Sequence, residues 1–306
     1  MVKNKVLILG GCGFIGKNLS KYLLEKDYDV TATYFKRKVI VDKKIDYIKI
    51  DLKKIAQIKN KLRKKKFTYV INCAGYINHS SSVKKKDNVF TDYVKITHSV
   101  IDYFKNKKII KYVNFGTSDE YGNSLSPQNE NQKNKPQTLY ALSKTYSHLF
   151  LKKLWEKNNF PFVTLRLFLV YGPGQSEDRL IPYIIKESAK DNIYKIYGGN
   201  QVKDFCFIED LCEAVALALD NDKVNGHIIN IASGKKIEIK KIVKIIYTCM
   251  KKGRPSFQKK VYRKSENTKL WADIKKAKRF LKWKPKTNIT DGLKKTVNSY
   301  LQSTTI

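Results

Sequence analysis

The sequence predicts an α/β protein built on a doubly wound parallel sheet, and three observations support this fold class. Short apolar runs recur along the first part of the 306-residue chain. The stretches between these runs are long enough for helices, so strands and helices should alternate. The first run, residues 5–9, passes directly into a glycine-rich turn and then into a helical pattern. Alternation of this kind predicts parallel strands with helices on both faces of the sheet.

Six strands follow from these apolar runs. Their predicted positions are residues 5–9, 29–34, 47–50, 69–72, 109–115 and 162–168. The carboxyl ends of parallel strands lie at one edge of the sheet, which is where ligands bind in such folds. Asp51 and Leu52 end the third strand, and Ala74 follows the fourth. We therefore expect these three residues beside a bound ligand.

A glycine-rich turn joins the first strand to a helix whose Leu19 and Leu23 share one face. Glycines in this place permit a tight turn and a close approach of the backbone to a pyrophosphate, which the N–H groups of the helix start then face. A glycine triplet alone is a weak signal, but its position between a strand and a helix indicates dinucleotide binding in a Rossmann-type fold. The residues expected at the dinucleotide are Gly10, Gly13, Phe14, Ile15 and Gly16.

The end of the second strand distinguishes between two dinucleotide cofactors. An acidic residue there would bind the ribose hydroxyls of NAD. This chain instead has Tyr34, followed by Lys36, Arg37 and Lys38. Cations suit the additional 2′-phosphate of NADP because they form charge-assisted hydrogen bonds with it. The sequence therefore favours NADP(H) beside Tyr34, Lys36 and Arg37, and NAD(H) stays possible if the segment is only a basic surface turn.

Tyr140 and Lys144 form the most informative pair of side chains in the chain. They are four residues apart, so on a helix they lie one above the other on the same face. A neighbouring ammonium favours the phenolate, which lets Tyr140 exchange a proton with a substrate hydroxyl or carbonyl near neutral pH. The alternative is a solvated helix that carries tyrosine and lysine at chance spacing. A dinucleotide at the same sheet edge would make the pair an acid/base site.

The pattern of the chain changes near residue 170, where Tyr171-Gly172-Pro173-Gly174 is a strong turn signal. The elements after this turn are shorter and less regular. We expect a dinucleotide-binding domain over residues 1–169, with a return segment near 203–232. The remainder of residues 170–306 should form a smaller, mainly substrate-binding lobe.

Composition excludes several other classes of protein. The net charge of +35 invites a nucleic-acid partner, but the lysines are scattered in short runs and no basic segment is interleaved with aromatic residues. No apolar run is long enough to span a membrane, and the chain begins without a cleavable leader pattern, so we expect a cytoplasmic protein. The five cysteines include no C-x-x-C pair, which argues against disulfides and against a metal site.

These motifs together resemble the extended short-chain dehydrogenases/reductases that act on nucleotide sugars, the group of NAD-dependent epimerases and dehydratases. The glycine turn is similar to the family's G-x-x-G-x-x-G loop, and Tyr140 with Lys144 matches its Y-x-x-x-K. Residues 115–122 (FGTSDEYG) resemble the segment that carries the catalytic Ser or Thr. Further similar segments are 166–174 (RLFLVYGPG), 198–215 (GGNQVKDFCFIEDLCEAV), 263–273 and 281–285. The resemblance runs nearly from end to end.

The resemblance implies a role for each matching residue. Tyr140 would transfer the proton at the sugar oxygen, Lys144 would hold the cofactor ribose and lower the tyrosine pKa, and Thr117 would hydrogen-bond the reacting oxygen. The hydride would move at carbon 4 of the sugar. The other substrate contacts implied by the resemblance are Ser118, Arg179, Lys203 and Arg263. The three cations are candidates for the diphosphate, and each has the alternative of being an ordinary surface charge.

Three departures from the family pattern bear on the reaction. Leu169 stands where the family usually has Asn, and Lys203 replaces the usual Arg, which keeps the charge but loses the bidentate fork. The family's 4,6-dehydratases carry Asp-Glu directly after the catalytic Thr. This chain has Ser118 and Asp119 there, with Glu120 one step later. We count this against dehydration.

The sequence thus leads us to expect a reductase that uses NADPH on a nucleotide-diphospho-4-keto-6-deoxysugar of the kind that feeds surface polysaccharides. The alternatives are an NAD-dependent nucleotide-sugar 4-epimerase or 4-dehydrogenase, and a silent binding protein on the same fold. The resemblance also implies a homodimer through the predicted helices 88–104 and 139–155. Apolar residues of the second helix that could face a partner or this chain's own sheet are Phe150, Leu151 and Leu154.

Overall fold

The computed structural model describes residues 4–75, 88–259 and 267–304. The strands are β1 Lys5–Leu9, β2 Asp29–Tyr34, β3 Asp46–Lys49, β4 Tyr69–Asn72, β5 Lys111–Thr117, β6 Phe162–Leu167, β7 Leu169–Tyr171, β8 Ile193–Tyr197, β9 Val202–Lys203, β10 Phe205–Phe207, β11 Ile228–Ile231, β12 Ile237–Glu238 and β13 Arg254–Gln258. The helices are α1 Phe14–Glu25, α2 Ile55–Leu62, α3 Val89–Phe104, α4 Leu139–Asn158, α5 Leu180–Ala189, α6 Ile208–Leu219, α7 Ile239–Met250, α8 Lys275–Leu281 and α9 Ile289–Thr304.

Seven parallel strands form the main sheet in the order β11-β6-β5-β4-β1-β2-β3. The doubly wound α/β fold predicted from the sequence is therefore confirmed. All six predicted strands are present, with boundaries that differ by a few residues. The fifth begins at Lys111 and continues to Thr117, because Thr117 still pairs with Leu167 of β6. That extension brings Thr117 to the carboxyl edge of the sheet.

The sheet is covered on both faces, and the strand residues alternate between two apolar cores. Val6 and Ile8 of β1 belong to the core on one face, with Leu19 of α1 and Leu211 of α6. The intervening residues Leu7 and Leu9 belong to the core on the other face, together with residues of α2, α3 and α4. Burial on both sides explains why these strands appear in the sequence as continuous apolar runs.

A second group of elements lies beyond the carboxyl edge of the main sheet. It contains three two-stranded sheets, formed by β7 with β10, β8 with β13, and β9 with β12. The β9–β12 pair is antiparallel and sets Val202 opposite Glu238 and Lys203 opposite Ile237. Helices α5, α7 and α9 pack around these strands. Their apolar residues, such as Ile184, Ile242 and Leu293, continue one of the two sheet cores.

The chain returns to the main sheet after it has built part of the second group. Helix α6 packs against α1, and β11 then pairs with β6 as the seventh strand of the sheet. Residues after 200 therefore contribute both to the sheet and to the lobe at its edge. Within the described ranges no helix has the length and apolarity needed to cross a membrane. The cysteines are free thiols, of which Cys206 and Cys212 are buried.

Candidate active site

The glycine turn is shaped by close backbone approaches that exclude side chains. Gly10 has a positive φ of +74°, and a β-carbon there would stand 2.8 Å from the Cα of Ala74. A β-carbon on Gly16 would stand 2.4 Å from the Gly10 carbonyl oxygen, so glycine lets α1 pack onto the turn. At Gly13 the nearest atom would be 3.4 Å away, which leaves an open surface. The turn thus exposes backbone where a phosphate can approach.

The start of α1 has the features that an anion requires. Gly13 is its N-cap residue and supplies no side-chain cap, and no acidic residue lies in the first turn. The first N–H groups of a helix carry partial positive charge and suit a phosphate. The dinucleotide predicted from the sequence therefore fits this turn, with Gly13, Phe14 and Ile15 at the helix start.

Segment 34–39 lies next to the glycine turn. The Cys12 thiol contacts the backbone of Val39, with sulfur 3.4 Å from the Val39 nitrogen, and this contact holds the segment over the turn. Tyr34 is half-buried, whereas Lys36 and Arg37 are exposed. Burial, followed by the nearby Arg37 cation, lowers the pKa of Lys17 in the first turn of α1. Lys17 thus joins Arg37 in a cationic region near the turn, which the sequence analysis had missed.

Asp51, Leu52 and Ala74 lie after β3 and β4, as the strand order requires. Asp51 accepts hydrogen bonds from the backbone N–H of Lys53 and through its carbonyl from Lys54, and so forms the turn before α2. Leu52 is buried. Ala74 is the residue that abuts Gly10, so its backbone is part of the wall of the glycine turn. Of the three, Ala74 has the most direct geometric link to the dinucleotide turn.

Tyr140 lies in the first turn of α4, whose N-cap Thr138 accepts a hydrogen bond from the Ala141 N–H. This cap fixes the start of the helix and therefore the position of the phenol. The side chains of Tyr140 and Thr117 share a hydrogen bond. The phenol thus meets the threonine hydroxyl at the carboxyl end of β5. The structure brings together two of the three residues for which catalysis was predicted.

Lys144, the third of these residues, is buried on the same face of α4. Its ammonium nitrogen lies 4.7 Å from the centroid of the Tyr93 ring and 5.9 Å from that of Tyr140. The Tyr93 and Tyr140 rings meet edge to face, with centroids 5.8 Å apart. A β-carbon on Gly75 would lie 2.0 Å from the Tyr93 hydroxyl. Tyr93 of α3 therefore links the catalytic helix to the end of β4, next to the glycine turn.

The expectation that Lys144 lowers the pKa of Tyr140 is not met. Burial raises the pKa of Tyr140 well above its usual value, Tyr93 and Asp119 add to the increase, and only the hydrogen bond with Thr117 acts against it. Burial also lowers the pKa of Lys144 to about 8. The physical reason is the direction of the ammonium, which lies over the Tyr93 ring, together with a low-dielectric environment that disfavours both charged forms.

Glu120 is a buried acidic residue that lies three positions after Thr117 and contacts its backbone. Its carboxylate accepts the Thr117 backbone N–H at 2.7 Å and binds the Arg166 guanidinium at 2.8 Å. Glu120 and Arg166 are both buried, and a β-carbon on Gly116 would lie 2.5 Å from a Glu120 oxygen. Glu120 therefore holds the backbone of Thr117 in place. Its oxygens are occupied by these contacts, so it is poorly placed to act on a substrate.

A cavity of about 280 Å³ is lined by two of the predicted substrate residues, Arg179 and Lys203. We call it the substrate cavity, and its lining includes Leu169, Arg179, Tyr197, Gln201 and Lys203. Arg179 is the N-cap residue of α5 and is partly exposed. The Lys203 ammonium donates to the carbonyl of Asn267. The two cations stand beside one cavity, and Leu169 lines it where the family usually has Asn.

Thr117, Ser118 and Tyr140 do not line the substrate cavity. Ser118 is buried beside Thr117 in a short 3-10 turn, Ser118–Tyr121. Arg263 lies outside the described residues. Asn18 of α1 donates to the Pro173 carbonyl at 3.3 Å, which ties α1 to the turn after β7. A β-carbon on Gly174 would also lie 2.4 Å from the Lys17 ammonium. In the described part of the chain no cluster of side chains is suited to a metal ion.

Comparisons with known proteins agree with this geometry. Residues 6–232 match the model of the NAD dependent epimerase/dehydratase family. The chain is 28% identical over 317 residues to a UDP-glucuronate 4-epimerase from Thermodesulfobacterium geofontis, covering 95% of this chain and 94% of that protein. It is also 28% identical over 317 residues to a dTDP-4-dehydro-6-deoxyglucose reductase from Escherichia coli, covering 97% and 98% of the two chains.

A solved structure extends the similarity to three dimensions. The UDP-glucuronic acid 4-epimerase from Bacillus cereus, in complex with UDP-glucuronic acid and NAD, superimposes with a TM-score of 0.87. The two sequences are 25% identical, and the match covers 98% of this chain and 99% of the other. The similarity therefore includes both the main sheet and the lobe at its carboxyl edge.

Proposed function

This chain belongs to the NAD dependent epimerase/dehydratase family, and from that membership we propose that it is a nucleotide-sugar 4-epimerase that works through a nicotinamide cofactor. The observation that carries the proposal is the hydrogen bond between Tyr140 and Thr117 at the carboxyl end of β5. The two side chains lie at the carboxyl edge of the main sheet, which is where ligands bind in such folds. A secondary alcohol of a sugar placed there would meet both.

In the proposed reaction, Thr117 and Tyr140 act on the oxygen at carbon 4 of the sugar. Tyr140 accepts the proton of the C4 hydroxyl and later returns it to the oxygen of the 4-keto sugar. Thr117 donates a hydrogen bond to the same oxygen and orients it. A bound nicotinamide cofactor supplies the acceptor and donor of the C4 hydride. Return of the hydride to the opposite face of the sugar inverts the carbon.

Lys144 and the cations of the substrate cavity bind and orient in this proposal. Lys144, whose ammonium lies over the Tyr93 ring, would donate a hydrogen bond to the ribose of the bound cofactor. Arg179 and Lys203 would hold the diphosphate of the nucleotide sugar through charge-assisted hydrogen bonds. Leu169 offers no hydrogen bond, so the sugar has freedom to turn at that wall. Freedom of the keto sugar to turn is what an epimerase needs and a stereospecific reductase does not.

The contacts of Glu120 weigh against a dehydratase. Elimination of water requires an acid and a base that reach the sugar, and the positions directly after Thr117 hold Ser118 and Asp119. Glu120, one residue later, is bound by Arg166 and by the Thr117 N–H. Removing it from this buried pair would leave an unpaired guanidinium. The named epimerases among the relatives support epimerisation further.

The direct test is an incubation of the purified protein with single nucleotide sugars. UDP-glucuronate, UDP-glucose and UDP-N-acetylglucosamine are the first three to use, because the names of similar proteins include them. We expect one of them to reach an equilibrium with its C4 epimer, detected by NMR, without net oxidation or reduction of the cofactor. If none is epimerised while NADPH is consumed stoichiometrically with a 4-keto sugar, the epimerase proposal is wrong.

A reductase is the second candidate, and the basic segment 36–38 favours it. Arg37 lies near Lys17, and two cations there suit the 2′-phosphate of NADPH. The reductase from Escherichia coli is as similar in sequence as the epimerase. This candidate requires NADPH to bind more tightly than NADH, and Lys36→Ala with Arg37→Ala to remove that preference. Equal or tighter binding of NADH in a fluorescence titration would contradict it and would favour NAD as the cofactor.

We also propose a homodimer through α3 and α4. Leu151, one of the predicted interface residues, is buried in this chain's own core, and Phe150 and Leu154 are partly buried against the same core. Three other leucines of α4 remain on the surface, namely Leu139, Leu142 and Leu149, with exposures of 51%, 42% and 54%. These three residues, rather than Leu151, are the leucine side chains of α4 available to a second copy.

A further inference from the structure

A second cavity of about 600 Å³ lies in the lobe beyond the carboxyl edge of the main sheet. We call it the basic pocket. Its walls are the β9–β12 pair, the turn 233–236, residues 269 and 271, and the segment 285–289. The residues of its lining that matter here are Lys235, Lys236, Lys241, Lys269, Lys286 and Trp271. Thr117, Tyr140 and Lys144 are not part of this lining.

The lining of the basic pocket is strongly cationic. Five of the lining residues are lysines, and a single one, Glu238, is acidic. Glu238 is paired with Lys240 at 3.0 Å, and Lys286 is paired with Glu213 at 2.5 Å. The ammonium groups of the other four lysines have no ion-pair partner among residues 4–75, 88–259 and 267–304. Their charges converge on one concave surface, where they raise the potential together.

Trp271 fixes one of these cations. The Lys236 ammonium nitrogen lies 5.5 Å from the centroid of the Trp271 ring, within the range of a cation–π interaction. The Trp271 backbone is held in turn, because its N–H donates to the Ser126 hydroxyl and its carbonyl accepts the Gln128 N–H. The ring therefore positions Lys236 at the wall of the pocket.

Two walls of the pocket are tied together by a buried carboxylate. Asp204 accepts the backbone N–H groups of Ser233, Gly234 and Ala272 at 2.8, 2.9 and 3.2 Å. It thereby joins the turn that carries Lys235 and Lys236 to the segment that carries Lys269 and Trp271. The two backbone segments that carry these cations are thus held together by the fold.

The basic pocket and the substrate cavity share one lining residue, Phe205, and otherwise have different linings. Val202 lines the basic pocket, and the next residue, Lys203, lines the substrate cavity. Successive side chains of a strand point to opposite faces, so β9 divides the two cavities. Lys203, one of the cations predicted to hold the substrate diphosphate, is therefore on the other side of this strand from Lys235, Lys236, Lys241 and Lys269.

We propose that the basic pocket binds a small polyanion, a molecule that carries two or more phosphate groups, at a site distinct from the substrate cavity. Four ammonium groups that have no ion-pair partner in the described part of the chain can each donate to phosphate oxygens, and charge-assisted hydrogen bonds are among the strongest available. The volume lies within the range of small-molecule pockets. A nucleic-acid strand would instead require a continuous groove along which the cations follow the backbone.

The test uses inorganic tripolyphosphate as the probe, titrated at physiological salt by calorimetry and by tryptophan fluorescence. We expect saturable binding of one probe molecule per chain and a change in emission that Trp271→Phe removes. Lys236→Gln combined with Lys269→Gln should weaken binding about tenfold or more, because two of four charge-assisted contacts are lost. The matched control is Lys61→Gln with Lys64→Gln, which removes the same charge from exposed positions of α2 and the turn after it. This control should change the affinity by about twofold at most.

Three results would overturn the proposal. An equal loss of affinity in the control would show that overall charge, and not the pocket, attracts the probe. Loss of binding in Lys203→Gln, with no loss in the pocket variant, would place the probe in the substrate cavity. Single-stranded DNA that binds more tightly with increasing length, and whose binding the pocket variant weakens, would identify a nucleic-acid surface instead of a small-molecule site.

Discussion

The ammonium nitrogen of Lys144 lies 4.7 Å from the centroid of the Tyr93 ring, although the two residues belong to different helices. The position of the Lys144 ammonium therefore depends on this contact with Tyr93 as well as on the spacing of Lys144 from Tyr140. Burial in the same place lowers the pKa of Lys144 to about 8. An ordinary lysine keeps its proton throughout the range of an enzyme assay, whereas this one can lose it.

The lowered pKa of Lys144 predicts a pH-dependent activity. Lys144 is protonated below a pH of about 8 and neutral above it, so a reaction that needs its charge should slow as the pH rises through that value. Lys144→Arg should move the decline to higher pH, because a guanidinium stays charged. The measurement is kcat/KM against pH for both proteins. An identical alkaline decline in the variant would assign the titration to another group.

Tyr140→Phe tests the proton transfer. The variant keeps the ring contact with Tyr93 but loses the oxygen that shares a hydrogen bond with Thr117. We expect turnover to fall by about 10²–10⁴, the usual contribution of a general acid/base, with cofactor affinity nearly unchanged. Tyr247→Phe, at an exposed position of α7, is the matched control and should keep full activity. Near wild-type turnover in Tyr140→Phe would remove the residue from the mechanism.

Arg166→Met tests the buried ion pair behind Thr117. The variant leaves the Glu120 carboxylate buried without its partner, and we expect a loss of about 3–5 kcal/mol in the free energy of unfolding. Lys21→Met, which breaks the exposed pair between Lys21 and Glu25, should cost at most about 1 kcal/mol. Urea denaturation measures both. A loss for Arg166→Met as small as that of the control would mean that the pair does not hold β5 in place.

His148 should make the fold sensitive to acid. Burial, and then the nearby Arg166, lowers the pKa of His148 to about 3, and its Nδ1 lies 3.0 Å from the Thr164 hydroxyl. Between pH 6.5 and 3 the unfolded chain binds a proton at His148 and the folded chain does not. The free energy of unfolding therefore keeps its full value above pH 6.5, as far as His148 is concerned, and decreases as the pH falls below 6.5. The slope is up to about 1.4 kcal/mol per pH unit. His148→Asn should flatten this part of the curve of unfolding free energy against pH, and an unchanged slope would refute the assignment.

The dimer proposal predicts that a charge on the exposed face of α4 separates the subunits. Leu149→Glu should convert the protein to a monomer, because burying an unpaired carboxylate in an interface is costly. Leu217→Glu on α6, where the leucine is 41% exposed, is the matched control and should leave assembly unchanged. Light scattering at micromolar concentration distinguishes the outcomes. If the wild-type protein is itself a monomer at this concentration, the dimer proposal is wrong.

The fold could be predicted because most strands of the main sheet are buried on both faces. Residues such as Leu7 and Ile8 belong to opposite cores, and the resulting unbroken apolar run is visible in the sequence. The glycine turn was equally visible, since Gly10 and Gly16 make backbone approaches that no other residue permits. These signals are local, and local signals are what a single sequence carries.

The contacts between distant segments could not be predicted in the same way. Tyr93 reaches Tyr140 and Lys144 only because α3 and α4 pack side by side, and nothing near Tyr93 in the sequence indicates this. The position of the Lys144 ammonium over the Tyr93 ring could not be predicted for the same reason. The burial of Leu151 in this chain's own core could not be predicted either. Periodicity identifies an apolar face but does not indicate whether the same chain or a second copy covers it.

The pairing of β11 with β6 has a consequence for synthesis of the chain. Ile228 lies opposite Thr164 and Ile231 opposite Leu167, so β6 gains its outer neighbour only after most of the polypeptide has left the ribosome. Until then β6 is an unprotected edge that can pair with other nascent chains. A fragment that ends soon after β6 would retain the glycine turn and α4 but would keep this edge permanently. Such a fragment should aggregate, so a free-standing cofactor domain cannot be obtained by cutting the chain where the first six strands end.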